Sequence, residues 1–231
     1  SSAPAIGTRF WRLSHLIMRP TLYHVIRSSC ITGCLLLLLL TQSTRASEQN
    51  ILVLGDSISA AYGMSLDQGW VAQLASELQQ DYPQFAVVNA SISGETTAGG
   101  LRRLPALLEE HKPSVVIIEL GANDGLRGYP LATLRSNLTA LAELARDSGA
   151  RVIILPMEIP PNYGARYTSG FRESFRDVAQ ETDSVLAPFL LDGVATDPTL
   201  VQDDGLHPTV AAQPLILANV LPSVSEVLAE L

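Results

Sequence analysis

A serine and a histidine that lie far apart in the sequence have the clearest chemical potential. Ser57 stands in the segment Gly55-Asp56-Ser57-Ile58-Ser59, and His207 stands in Asp204-Gly205-Leu206-His207-Pro208. A serine hydroxyl is a weak nucleophile until a base takes its proton, and histidine is the usual base at neutral pH. Asp204, three residues before His207, is placed to hold the imidazole in one tautomer. Together these residue types suit nucleophilic attack on an acyl carbon.

Only two histidines follow residue 46, and their surroundings differ. His111 lies in the charged stretch 109–112, at the end of a predicted helix, where an imidazolium interacts favourably with the helix dipole. His207 lies on a short loop beside Asp204. We therefore expect His207 to be the functional histidine. The alternative is a structural histidine near a helix start, with a capping aspartate.

Two more segments carry hydrogen-bond donors for a negatively charged oxygen. Gly94 precedes a predicted helix and offers a backbone N–H, and Asn123 offers a side-chain amide. The N–H of Ser57 is expected near a helix N-terminus, where negative charge is favoured. Taken singly, each of these segments is also compatible with an ordinary turn or a helix cap.

The apolar pattern predicts the elements that position these residues. Five short apolar runs, most of them rich in Val and Ile, alternate with amphipathic stretches, which favours a parallel sheet covered by helices on both faces. The predicted strands are 51–54, 85–88, 115–120, 152–155 and 185–189, and the clearest helices are 70–78, 131–145 and 215–231. Ligands of such sheets bind beyond the carboxyl ends of the strands, so the four polar segments should meet at one edge.

Composition restricts the class of protein. The chain has 231 residues, of which 47% are apolar and 16% charged, and this excludes disorder over most of it. All 23 acidic residues but only ten of the 15 basic residues follow residue 46. Nucleic acids are bound mainly by basic side chains, so the excess of acidic residues after residue 46 argues against a nucleic-acid partner.

The same residue inventory argues against thiolate chemistry, a metal site and the usual nucleotide-binding motifs. Both cysteines, Cys30 and Cys34, lie in the first 46 residues, so thiolate chemistry is excluded from the rest. One histidine with two neighbouring aspartates is a poor metal-ligand set, and the glycine-rich phosphate-binding motifs are missing.

The first 46 residues are typical of a targeting segment. From Met18 the sequence has a basic start, a short apolar run at 31–40 and a small-residue end at Ala46, which predicts a signal peptide over 18–46. An uncleaved membrane anchor is the alternative, although the run is about half of the roughly 20 residues a span needs. Residues 1–17 are interpreted as a start-site extension. The working protein is then a single domain over 47–231, periplasmic or secreted.

The four polar segments, taken together and in this order, resemble the SGNH or GDSL hydrolase family over residues 50–231. The matching segments read GDSIS, SISGETT, GANDG and DGLHP. The likeness looks closest to the bacterial thioesterase I, lysophospholipase and arylesterase subfamily, although GDSI stands where the family label has GDSL. The resemblance implies a three-layer α/β/α, flavodoxin-like fold with a five-stranded parallel sheet.

The resemblance also implies a role for each candidate. Ser57 would be the nucleophile, His207 the general base and then acid, and Asp204 the carboxylate that orients the imidazole. The N–H groups of Ser57 and Gly94 and the amide of Asn123 would form the oxyanion hole. The reaction would pass through an acyl-enzyme and need no metal or cofactor.

The substrate is less well determined by the sequence. Two loops at the proposed edge carry apolar side chains that either contact an acyl or aryl group or pack the loops down: Leu126, Tyr129, Ile159 and Tyr163. The resemblance implies small esters, acyl thioesters and lysophospholipids, with a transient contact to membrane lipid. A carbohydrate O-acetyl esterase of the same fold, or a non-catalytic periplasmic binding domain, are the alternatives.

Overall fold

The computed structural model describes residues 49–231, which form one parallel β-sheet with helices on both faces. The strands run in the order β2-β1-β3-β4-β5, and every neighbouring pair is parallel. They are β1 (Gln49–Gly55), β2 (Phe85–Asn89), β3 (Val115–Glu119), β4 (Arg151–Ile154) and β5 (Val185–Leu186). The predicted α/β class with a five-stranded parallel sheet is confirmed.

Two layers of helices cover the sheet. The helices are α1 (Trp70–Asp81), α2 (Thr97–His111), α3 (Ala122–Leu126), α4 (Leu131–Asp147), α5 (Ala165–Glu181) and α6 (Gln213–Leu228). Helices α1 and α6 contact each other, and α4 contacts both α2 and α5. Short 3₁₀ turns lie at Leu66–Gln68, Pro161–Tyr163 and Val210–Ala212.

The central strands are buried on both faces, which explains why they are continuous apolar runs. Residues 51–54 of β1 and 115–118 of β3 are fully inaccessible to solvent. Each fully buried Val, Leu or Ile side chain contributes roughly 1.5–3 kcal/mol through its removal from water. This core forms a rigid base for the loops at the carboxyl ends of the strands.

The structure corrects several predicted boundaries. The predicted strand 185–189 ends at Leu186, because Pro188 has no N–H with which to continue the ladder. The last helix runs from Gln213 to Leu228, where 215–231 was expected. Helix α2 was hard to predict because it contains two glycines and Pro105, but its N-cap Thr96 accepts a hydrogen bond from the Gly99 N–H.

The N-terminal predictions lie outside the described residues. They are the start-site extension over 1–17 and the signal peptide over 18–46. Within the described residues, the segment Val210–Leu228 is long and apolar enough to match a membrane span. Its residues Ile216, Val220 and Val224 are fully buried in the core, which is the environment of a core helix.

The topology brings the polar segments to one edge. The chain passes from β1 to β2 on one side and later to β3 on the other, so the strand order reverses between β1 and β3. Gly55 at the end of β1 pairs with Glu119 at the end of β3. This is the place where open α/β sheets form their ligand sites.

Candidate active site

Ser57, His207 and Asp204 form a hydrogen-bonded relay. His207 Nε2 lies 2.8 Å from Ser57 Oγ, and His207 Nδ1 lies 2.6 Å from Asp204 Oδ2. An aspartate on Nδ1 favours the tautomer in which that nitrogen carries the hydrogen, so Nε2 can accept the serine proton. The structure thus brings together three side chains from two segments that are 150 residues apart.

The loop that carries His207 and Asp204 is shaped by its own backbone. Asp204 Oδ1 accepts from the N–H groups of Leu206 (2.9 Å) and His207 (3.0 Å). Gly205 has a positive φ of 71°, a conformation that glycine adopts without strain. This turn fixes the aspartate beneath the imidazole before any substrate binds.

Gln202 holds this loop against the segment that follows the nucleophile. Its Nε2 donates to the backbone oxygens of Tyr62 and Pro208, both at 2.9 Å, and its backbone N–H donates to the oxygen of His207 at 2.7 Å. The Tyr62 ring packs against the His207 ring, with 4.3 Å between centroids and 34° between the ring planes. One side of the histidine ring is therefore in contact with an aromatic side chain.

The electrostatics keep Asp204 ionised. Hydrogen bonds from the backbone N–H of His207, from its ring and from the N–H of Leu206 lower the pKa of Asp204 to about 2. At neutral pH the aspartate is an anion and can stabilise the imidazolium that forms when His207 takes a proton.

The three hydrogen-bond donors that the sequence suggested for an oxyanion differ in availability. Among the described residues, the N–H groups of Ser57 and Gly94 donate to no acceptor. The Asn123 Nδ2 group donates to Asp56 Oδ2 at 3.1 Å and to the backbone oxygen of Glu95 at 3.0 Å. Two of the three suggested donors are thus unoccupied within the described part of the chain, and the third, the Asn123 amide, is already engaged.

A buried hydrogen-bond cluster ties the Gly94 segment to the Asn123 segment. Asp124 accepts from the N–H of Thr97 at 2.9 Å and from its hydroxyl at 2.5 Å. Asn137 on α4 donates to the same hydroxyl at 3.0 Å. Asp124 and Thr97 are both buried, so these bonds position the start of α2 beside α3.

Two carboxyl groups lie buried behind the nucleophile. Asp56 and Glu119 are 1% and 0% exposed. Burial raises the pKa of Asp56 to about 6, against the opposing effect of hydrogen bonds from Ile58 and other groups. Burial, and then the charge of Asp56, raise the pKa of Glu119 well above its usual range.

Two adjoining cavities lie beside the relay. The smaller, of about 190 Å³, is lined by Ser57, Asn123 and His207 together with Leu126. The larger, of about 560 Å³, includes Ile159 and shares four lining residues with the first: Glu158, Pro160, Leu191 and Leu206. A substrate with a long apolar group has room to extend from one into the other.

Tyr129 and Tyr163, which the sequence also suggested, lie outside the lining of both cavities. The Tyr163 hydroxyl donates to the oxygen of Leu126 at 2.7 Å, and Tyr167 donates to the oxygen of Tyr129 at 2.6 Å. Both contacts join the loop after α3 to the region that begins α5, so they fix the wall of the site.

Sequence reasoning missed Glu119, the contact of Tyr62 with His207 and the structural role of Asp124. Glu119 closes the apolar run that predicts the third strand. A single acid at the end of a buried strand is the signal that could have identified it.

Comparison with known proteins gives consistent matches. Residues 53–214 match the family described as GDSL-like Lipase/Acylhydrolase. Esterase TesA of Pseudomonas aeruginosa is 50% identical, over 88% of this chain and 100% of its own. Thioesterase 1/protease 1/lysophospholipase L1 of Escherichia coli K12 is 42% identical, over 79% of this chain and 86% of its own. The crystal structure of TesA superposes with a TM-score of 0.76 at 51% identity, covering 78% and 99% of the two chains.

The Thr97 cluster makes a prediction about stability. Thr97→Val keeps the shape of the side chain but removes the hydroxyl that bridges Asp124 and Asn137. We expect the free energy of unfolding to fall by about 1–3 kcal/mol, because a buried carboxylate oxygen loses a donor. Urea unfolding measures this. The control Thr133→Val, at an exposed position of α4, should change stability by less than about 0.5 kcal/mol, and equal effects would contradict the assignment.

Proposed function

The chain belongs to the GDSL-like lipase/acylhydrolase family and is a carboxylic ester hydrolase, and we propose that Ser57, His207 and Asp204 are its catalytic triad. The observation that carries the proposal is the pair of contacts made by His207, at 2.8 Å to the serine and 2.6 Å to the aspartate. A nucleophile, a base and a group that orients the base are thereby aligned.

The reaction proceeds in two halves. Ser57 Oγ attacks the carbonyl carbon while His207 Nε2 takes its proton, and Asp204 stabilises the imidazolium. When the tetrahedral intermediate collapses, His207 gives that proton to the departing alcohol or thiol, and the acyl group stays on the serine. Water then attacks the acyl-enzyme with His207 as base again. The acid product leaves and the serine recovers its proton.

The negative charge of each tetrahedral intermediate is held by the N–H groups of Ser57 and Gly94 and by the amide of Asn123. The first two are unoccupied among the described residues, which supports this role. Asn123 lines the same cavity as Ser57, and one of its N–H groups turns from its protein acceptor to the oxyanion. Such donors are effective because they are oriented before charge develops.

The substrates we propose are acyl thioesters, lysophospholipids and small alkyl or aryl esters. The relatives support this class through their names, which include esterase, thioesterase and lysophospholipase. The adjoining cavities support it as well, because apolar side chains such as Leu126, Ile159 and Leu191 line them. We further propose that the protein is exported, on the basis of the signal-peptide pattern at 18–46, and that it contacts membrane lipid transiently.

A fluorophosphonate probe tests the nucleophile. We expect the wild-type protein to be labelled and Ser57→Ala to be unlabelled, because the probe bonds to an activated serine oxygen. Ser65→Ala, at an exposed serine of the same region, serves as the control and should be labelled like the wild type. Intact-mass measurement reads out the adduct. An unlabelled wild type would favour a non-catalytic binding domain.

The two histidines provide a matched test of the base. His207→Ala should lower kcat/KM for a nitrophenyl ester by about 10³-fold or more while the protein still folds, since the serine loses its proton acceptor. His111→Ala should leave turnover unchanged, because that ring lies at the end of α2, away from the relay. Steady-state kinetics and circular dichroism check both variants. Similar losses at the two positions would show that the base is misassigned.

An acyl-chain series tests the substrate class. We expect kcat/KM to be higher for octanoyl than for acetyl nitrophenyl esters, because a longer chain fills the joined cavities. Leu191→Phe, at a residue that lines both cavities, should reduce the octanoyl value more than the acetyl value. Leu144→Phe on the exposed face of α4 should change neither. Faster hydrolysis of acetylated xylan than of octanoyl esters would favour a carbohydrate O-acetyl esterase.

A further inference from the structure

Glu119 is a buried acid that the reaction above does not use, and it lies directly beneath the nucleophile turn. Its Oε2 accepts from the Ser59 hydroxyl at 2.7 Å and from the backbone N–H of Asp56 at 3.2 Å. A Cβ added to Gly55 would lie only 2.7 Å from the same oxygen. The turn that presents Ser57 is therefore packed closely on the Glu119 carboxyl.

The other oxygen of Glu119 indicates the protonation state of this acid. Oε1 is buried and has no hydrogen-bond donor among the described residues. An ionised oxygen in that position would be strongly unfavourable. A proton on Oε1 makes it a donor, and the neighbouring acceptor is the carboxyl group of Asp56, whose own backbone N–H is bonded to the other oxygen of Glu119. Burial and the Asp56 charge raise the pKa of Glu119, and a Glu119 hydrogen bond lowers the pKa of Asp56, in agreement with this placement of the proton.

Asp56 continues the connection to the oxyanion site. Its Oδ1 accepts from the N–H of Ile58 at 3.0 Å, and its Oδ2 accepts from the Asn123 amide at 3.1 Å. The second acceptor of that amide is the neutral backbone oxygen of Glu95. Hydrogen bonds to a charged acceptor are roughly twice as strong as neutral ones. The bond to Glu95 is thus the one that yields, and Asp56 keeps the amide aimed at the oxyanion.

We propose that Glu119, as a neutral carboxylic acid donating to the Asp56 carboxylate, is a positioning residue that orients the Asn123 amide for ester hydrolysis. The inference rests on the proposed role of Asn123 in the oxyanion hole. Glu119 acts through Asp56 and touches no reacting atom, so its effect belongs to the transition state and not to substrate binding.

Two substitutions at Glu119 separate a neutral donor from a charged group. Glu119→Gln retains an N–H donor toward Asp56 and an oxygen acceptor for Ser59, so kcat should stay within about threefold of wild type. Glu119→Met is of similar size but has no donor, so kcat should fall by about tenfold or more with KM nearly unchanged. Glu109→Gln, at an exposed position of α2, is the control for the loss of an acidic side chain elsewhere in the protein. An equal loss in Glu119→Gln and Glu119→Met would overturn the proposal.

The pH dependence of stability tests the proton without any activity measurement. The pKa of Glu119 is raised in the folded protein, so folding takes up a proton at pH values between the ordinary value of 4.5 and the raised pKa of the folded state. The resulting stabilisation is complete below that value and is lost as the pH rises toward the folded pKa. As the pH rises from the ordinary value toward the folded pKa, the wild type should therefore lose stability relative to Glu119→Gln, which has no proton to release at this position. Parallel stability profiles in urea would overturn the proposal, even if Glu119→Met does not fold.

A double-mutant cycle tests the route through Asn123. Asn123→Ala alone should cost about 10²–10³-fold in kcat. In that background Glu119→Met should have less than about threefold further effect, since the group that Glu119 orients is gone. Fully additive losses would assign Glu119 a structural role and overturn the proposal. Fluorophosphonate labelling of Ser57 is recorded for the wild type and for every variant. A wild type that is not labelled would refute the triad itself. Where labelling persists, a failed prediction at Glu119 refutes only the Glu119 inference.

Discussion

The hydrogen bond between Ser57 and His207 is the interaction on which the site depends, and the surrounding structure fixes its two ends separately. The serine end follows β1, whose residues 51–54 are completely buried, so its position is set by the sheet. The histidine end lies on a loop. The side chain of Asp204 organises the backbone of this loop, and Gln202 attaches the loop to the residues after the nucleophile. A 2.8 Å contact between residues 150 positions apart needs both anchors.

The sheet edge also contains a pair of buried acids. Asp56 and Glu119 are buried together, and burial alone opposes ionisation of either. An apolar pair at these positions would avoid this cost but could not accept from Ile58, Ser59 and Asn123. Local features that oppose stability are expected where a fold must orient reactive groups. The placement of this pair immediately behind Ser57 follows that rule.

The sequence predicted the parts of this arrangement that depend on residue type and order. Five apolar runs indicated the sheet, and the polar residues after successive runs indicated the edge where Ser57 and His207 meet. It did not predict the network behind them, because a hydrogen-bond partner depends on strand register. Glu119 became significant only when pairing placed it level with Gly55. Helix α2 was similarly obscured by its glycines, whose low propensity is overcome by packing.

The site therefore consists of two parts that differ in how they are held. The donor side is tied by buried side chains, since Thr97 and Asp124 join the segments after β2 and β3. The base side is tied by backbone contacts near the surface, where Asp204 retains 38% exposure of its side chain. The smaller cavity lies between the two parts, with Asn123 on one wall and Leu206 on the other. In the proposed reaction the buried wall holds the oxyanion in a fixed geometry, so we expect adaptation to acyl groups of different size at the exposed wall, where the cost of movement is lower.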